Sequence, residues 1–196
     1  MARAKVHDGA LRDRLLRRAG DIVSASGVEA LSLRTLARAC ETSTTAVYAL
    51  FGGKDGLVTA LFDEAFARLA HHLDAVPRGA DALEDLVRVG LAYRASALTE
   101  PHLFALMFGP GRTGLSAPAA ARTATGTALG PLRMAVQRAV DERSLRPDTD
   151  PATASITLWT TVHGWATLQL RGYLPPGADG RLESALRAVL DGWRAR

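Results

Sequence analysis

Apolar residues recur at three- and four-residue steps along nearly the whole chain, and no segment alternates with the period of two that a strand requires. Leu11, Leu15, Leu16, Ala19, Ile22 and Val23 form one stripe of an amphipathic helix, which Gly27 is placed to end. Ser32 is a good N-cap for a short helix carrying Leu33, Leu36, Ala37 and Cys40 on one face. A third short helix spans about Ser43 to Leu50, and Gly52-Gly53 stops it. A longer one follows with Leu57, Val58, Leu61, Phe62, Ala65, Phe66 and Leu69 in register. Beyond the break at Pro77-Arg78-Gly79, the same spacing predicts helices over about 83–98, 101–108, 118–143 and 151–172, and a last one carrying Leu182, Leu186, Val189, Leu190 and Trp193. With 36 Ala and 28 Leu among 196 residues favouring helix, the expected fold is all-α.

Two classes are set aside early. The single Cys40 excludes an internal disulfide framework and a cysteine zinc site. Residues 151–170 carry no formal charge over a membrane-spanning length, but four threonines and a serine up to Thr161, then His163, Thr167 and Gln169, make a polar load that insertion disfavours. A helix buried among protein elements fits better. With no charged-then-apolar leader, a reducing cytoplasm is the expected compartment, and no membrane partner is expected.

Charge is placed unevenly. Residues 1–54 hold nine Lys and Arg against five Asp and Glu, whereas the remainder is balanced, so the whole excess of +4 lies in the first quarter. A basic terminal module on a neutral body points to an anionic partner, with nucleic acid ahead of a membrane surface; an ordinary solvated basic face is the bland alternative.

Residues 33–51 have the spacing of a helix-turn-helix. Leu33, Leu36, Ala37 and Cys40 face inward and the pattern returns at Val47 and Leu50, with the small Ala37 where two helices cross closely. Glu41 occupies the turn position usually given to glycine, where a left-handed backbone costs another residue roughly 1 kcal/mol. Thr42 replaces a usual apolar residue.

The run from Leu11 to Leu61 resembles the DNA-binding domain of TetR-type transcriptional regulators. It reads L-R-D-R-L-L-R-R-A-G-D-I-V, then G-V-E-A-L-S-L-R-T-L-A, then T-S-T-T-A-V-Y-A-L-F-G-G-K-D-G-L-V-T-A-L, and the Tyr48…Phe51…Lys54…Leu57 spacing is its most specific part. The resemblance implies a helix-turn-helix domain over 1–54 with an N-terminal arm, a connecting helix over 55–76, and a ligand-binding and dimerisation domain over 77–196. Tyr48 and Lys54 would touch DNA phosphates and Ser43 would add another hydrogen bond, while Thr44, Thr45 and Ala49 project toward base edges. None of these is Arg, Asn or Gln, so bidentate readout of guanine or adenine is not available, and threonine methyl and hydroxyl contacts carry direct discrimination. The arm over residues 1–8, with Arg3 and Lys5, would follow the backbone or enter a minor groove, with a disordered segment of no role as the alternative.

In the body, Tyr93…Glu100-Pro101-His102-Leu103-Phe104-Ala105-Leu106-Met107-Phe108 followed by Trp159…His163-Gly164 resembles a subgroup with a Trp-His-Gly-type motif, although Val162 here precedes His163. Tyr93, Phe104, Met107, Phe108, Met134, Trp159 and His163 are the candidate walls of an interhelical pocket, with plain core packing as the alternative for each. The last two helices are candidates for a two-fold interface, with a buried intramolecular pair as the alternative.

The string Gly109-Pro110-Gly111-Arg112-Thr113-Gly114 matches G-x-G-x-x-G but lacks a preceding strand, so no nucleotide site is expected there. No catalytic motif, no metal site and no cofactor is expected, and adjacent His71-His72 diverge by about 100° on a helix. The expected protein is a homodimeric regulator of the repressor kind, binding a palindromic operator and released by a small, mostly apolar ligand. A small all-α enzyme and a helical module without sequence preference are the competing classes.

Overall fold

The computed structural model describes residues 2–108 and 126–195, with side chains from Gly9 onward except at residue 179. Nine α-helices are described: α1 (Ala2–Ser26), α2 (Leu33–Ala39), α3 (Thr44–Phe51), α4 (Lys54–Asp74), α5 (Ala82–Thr99), α6 (Pro101–Phe108), α7 (Gly130–Asp141), α8 (Pro151–Leu170) and α9 (Arg181–Asp191). Among the described residues the only β-pairing is an isolated bridge between Leu145 and Arg194. The expected loop over 109–117, with its glycine-rich string, and the expected helix start at Pro118 lie outside the described residues. The chain separates into two compact units: one holds the residues up to Phe66 together with α6, the other Ala67–Thr99 with α7, α8 and α9.

In the first unit α1 buries Leu15, Leu16, Ala19 and Val23, the stripe its spacing requires. Gly27, at φ 78°, turns the chain out of α1 while its N–H still reaches the Val23 carbonyl at 2.8 Å. The N-terminal arm expected from the sequence is instead helical from Ala2 and continuous with α1. Ser32 caps α2 by accepting the Thr35 N–H at 3.4 Å, and Ser43 caps α3 by accepting the Ala46 N–H at 3.1 Å. Leu36, Ala37, Cys40 and Val47 close the small core between these helices. α6 packs on α1 within the same unit.

In the second unit α5 lies against α7, α8 and α9. Leu86, Val89, Tyr93 and Ala97 form its buried face. At Gly90 the helices approach so closely that an added Cβ would lie 2.6 Å from the Leu186 Cδ1. Asp150 caps α8, accepting from the N–H of Ala152 and Thr153 at 3.2 and 3.0 Å, and Pro151 fills the first turn where no donor is needed. The uncharged α8 buries Ala154, Ser155, Leu158, Val162 and Ala166. No helix among the described residues is long and apolar enough to cross a membrane.

Candidate DNA-binding surface and buried polar cluster

α3 has two faces set by eight residues. Val47 is fully buried, while Thr44, Thr45, Tyr48 and Ala49 are exposed side by side, at the i, i+1, i+4 and i+5 positions that share one helical face. Ser43 is exposed at the N-terminus of α3; its oxygen is held by the Ala46 N–H, which leaves its own O–H to donate outward.

The turn that sets the angle of α3 closes by two hydrogen bonds, from the Thr42 N–H to the Ala37 carbonyl (2.9 Å) and from the Glu41 N–H to that of Arg38 (3.2 Å). That is a Schellman closure, and it requires a left-handed residue; Glu41 supplies it at φ 51°. The departure from glycine read in the sequence is therefore accommodated by the same backbone geometry.

At its other end α3 stops at Gly52, φ 73°, whose N–H donates to the Tyr48 carbonyl at 2.7 Å. The Tyr48 ring is 57% exposed and lies over the following Gly53, whose Cβ, if present, would come within 3.3 Å of its edge. Lys54, half-buried, then opens α4, so a phenol hydroxyl, an ammonium group and a set of unpaired helix N–H groups follow one another within seven residues. Gly56 is equally constrained, because the Phe51 carbonyl fills the place of its Cβ. Sequence reasoning missed one cation here: the Arg12 guanidinium of α1 sits over the Phe51 ring, 5.5 Å from its centroid. Nothing in the spacing of α1 distinguishes Arg12 from its exposed neighbours Arg14, Arg17 and Arg18.

The residues expected to line a pocket fall into three groups. Tyr93 from α5 meets Trp159 and His163 from successive turns of α8. The Trp159 indole N–H donates to the Tyr93 hydroxyl at 3.2 Å, and that hydroxyl is 2.8 Å from His163 Nδ1. An indole only donates, so the phenol oxygen accepts from it; toward His163 the phenol donates when the imidazole proton is on Nε2 and accepts when it is on Nδ1. Burial pushes the Tyr93 hydroxyl well above its ordinary range and pulls His163 below the usual imidazole value, so both are neutral near pH 7. Beside them lies a void of about 10 Å³, walled by Leu86, Leu132, Leu158, Val162 and Leu186.

Met134 is 51% exposed and belongs to a larger cavity of about 250 Å³ in the same unit, lined among others by Leu73, Pro77, Val89, Ala135 and Arg138. Phe104, Met107 and Phe108 belong to the first unit. There Phe108 packs edge-on to Phe66 at 5.5 Å and against Phe104 at 5.1 Å, while Met107 is buried nearby on α6. The structure does not gather these three residues with the Tyr93 cluster in one compact unit.

One charged group in the second unit went unrecognised in the sequence. Asp85 is only 5% exposed and accepts from the Gly79 N–H at 2.9 Å, from Arg138 at 2.6 Å and from Arg88. Arg138 also donates to the Gly79 carbonyl at 2.9 Å, so one carboxylate and one guanidinium bind the α4–α5 loop to α5 and α7. The signal was available: Asp85 stands three residues after Ala82 and four before Val89, inside the apolar register of α5. Among the described residues no group of three His, Cys, Asp or Glu side chains is assembled to hold a metal.

Residues 15–61 match the family described as bacterial regulatory proteins of the tetR family, and residues 86–191 match the tetracyclin repressor-like C-terminal domain. Over 98 residues the chain is 34% identical to the HTH-type transcriptional regulators Mb1846 of Mycobacterium bovis and Rv1816 of Mycobacterium tuberculosis. That match spans 47% of this chain and 41% of the length of each relative. A protein of unknown function from Rhodococcus sp. RHA1 is similar across 94% of this chain and 95% of its own, with 28% identity and a TM-score of 0.82. The TetR family regulator PfmR of Thermus thermophilus shares the fold at 23% identity, with a TM-score of 0.65 over 91% of this chain and 97% of its own. With a helix-turn-helix at one end and the family's own C-terminal domain across more than half its length, the chain belongs to the TetR family of DNA-binding transcriptional regulators.

Proposed function

We propose that this regulator is a homodimeric repressor that binds a palindromic operator and is released by a small, mostly apolar effector. The exposed face of α3 carries the reading: Thr44, Thr45, Tyr48 and Ala49 stand clear of the core on a helix fixed at both ends by Ser43 and Gly52. A helix of this length fits a major groove about 12 Å wide. Ser43, Tyr48 and Lys54 engage phosphates and set the register, and the threonines read thymine methyls and base-edge acceptors. Two copies reading one face of the duplex place their α3 helices roughly 34–36 Å apart. α8 and α9 form the two-fold contact as a four-helix bundle; Ile156 and Leu168 of α8 are exposed large apolar residues on which a second copy would close. The effector occupies the second unit around Tyr93, Trp159 and His163, with Met134 at the larger cavity. DNA and effector compete through two dimer conformations, and reversing a 99:1 population requires a differential affinity of about 5.5 kcal/mol.

The test is selection of the organism's own genomic fragments on the full-length protein, followed by gel retardation at moderate salt. The expected result is an inverted-repeat fragment bound at least a hundredfold tighter than random DNA, with Lys54→Ala weakening both and reducing the salt slope by about one. Equal affinity for all fragments removes the operator, and an unchanged slope removes Lys54 from the interface.

A further inference from the structure

α1 carries four exposed arginines, Arg12, Arg14, Arg17 and Arg18, and they are not equivalent. Arg14 and Arg18 belong to the α2 side of the helix. The Cys40 S–H reaches the Arg14 carbonyl at 3.9 Å, and burial pushes that thiol up against the opposing charges of Arg14 and Arg18. Arg18 is also paired with Asp21 at 3.8 Å. Arg12 has no acidic partner among the described residues. Its guanidinium instead lies over the ring of Phe51, the last residue of α3, 5.5 Å from the centroid.

That place matters because of its neighbours. Phe51 stands one helical turn after Tyr48, and the Phe51 carbonyl fills the position of a Cβ on Gly56, which sets the end of α3 directly against the first turn of α4 where Lys54 lies. All of these residues belong to the first compact unit. A guanidinium from α1, a phenol from α3 and an ammonium group from α4 therefore meet at one end of α3. The one carboxylate between residues 48 and 56, Asp55, is turned about 100° around α4 from Lys54. An aromatic face also holds a cation differently from a carboxylate. It orders the guanidinium while leaving the positive charge uncancelled and the N–H donors unused, and that planar fork matches the oxygens of a phosphate.

Resting on the DNA-binding reading above, we infer that Arg12 is a further phosphate contact of the DNA-binding surface and that Phe51 is its positioning residue. α1 thereby joins the interface, and the Arg12 guanidinium grips a backbone phosphate beside those engaged by Tyr48 and Lys54. The contact contributes affinity and orientation, and no base preference.

The experiment is fluorescence anisotropy of the full-length protein with a labelled random-sequence duplex of about 30 bp, over roughly 50 to 200 mM salt. Arg12→Leu keeps an apolar chain over the ring and removes the charge. It is expected to lower the slope of log affinity against log salt by about one, as Lys54→Ala does. Arg12→Lys keeps the wild-type slope. Phe51→Leu also keeps it, because the cation survives, but weakens binding about threefold as the guanidinium loses its platform. If Phe51→Leu does not fold, the contrast between Arg12→Leu and Arg12→Lys decides. Arg17→Ala, about 140° around α1 from Arg12, leaves the slope unchanged. Arg12 is exposed, so its variants keep the wild-type urea midpoint; a slope change that comes with a lost midpoint counts against the inference. An unchanged slope in Arg12→Leu beside a lowered one in Lys54→Ala overturns it. An equal loss in Arg17→Ala does so too, since the effect is then one of bulk charge. Wild-type protein that does not bind the duplex, or binds it without salt dependence, removes the DNA-binding reading itself.

Discussion

At Glu41 the backbone is left-handed, φ 51°, on a residue with a Cβ. The two hydrogen bonds that close the turn from Ala37 to Thr42 require that conformation, so the strain is imposed by the helix-turn-helix and not relieved by a local shift. Glu41→Gly should therefore stabilise the protein by about 0.5 kcal/mol or less, the left-handed penalty of roughly 1 kcal/mol minus the entropy that glycine adds to the unfolded chain. A higher denaturant midpoint with unchanged slope is the expected result; a lower midpoint would mean that the Glu41 side chain contributes more than its backbone costs. Residue-scale reading of the sequence reached this position because the constraint is local. It did not reach Arg12 over Phe51 or the closeness of Gly56 to the Phe51 carbonyl, since both arise only when one helix end is laid beside another element.

Elements were legible wherever a capping residue and a helical stripe coincide. Ser32, Ser43, Gly27, Gly52 and Pro151 stand where their chemistry is needed, and the helix ends follow them within a residue or two. Pairing between elements was not legible, because periodicity shows which face is buried and not what buries it. Tyr93, Trp159 and His163 were expected in one pocket with Phe104, Met107, Phe108 and Met134, as a mix of apolar walls and a few polar groups. Phe104, Met107 and Phe108 have the same apolar signature yet belong to α6 and the first unit. The Asp85–Arg138 link is the clearest case, spanning 53 residues of sequence. Removing a nearly buried carboxylate that satisfies an amide and two guanidinium groups leaves those donors without it. Asp85→Ala should cost about 3 kcal/mol in urea unfolding. Asp85→Asn, which keeps an acceptor for the Gly79 N–H, should recover part of this. A loss below about 1 kcal/mol would show the link to be solvated and energetically idle.

For the whole molecule, an all-helical regulator was readable because composition, spacing and the Tyr48–Lys54 segment agree, and charge is concentrated where the DNA-binding helices lie. The division of labour follows from that distribution: a basic helix-turn-helix with hydroxyl-bearing α3 in the first part of the sequence, and after it a helical domain of no net charge, whose small void is apolar and whose larger cavity is lined by Asp74, Arg78, Asp85 and Arg138 among apolar residues. The central claim is that paired α3 helices recognise sequence through threonine. Replacing each thymine of the selected operator by deoxyuridine removes one methyl group at a time and leaves the phosphates and base pairing intact. Scanning retardation with such duplexes should reveal two symmetric clusters of sensitive positions, one helical turn or a multiple apart, each thymine losing about 1 kcal/mol in wild type and nothing in Thr45→Ala. A flat scan, or sensitivity that persists unchanged in Thr45→Ala and Thr44→Ala, would contradict it.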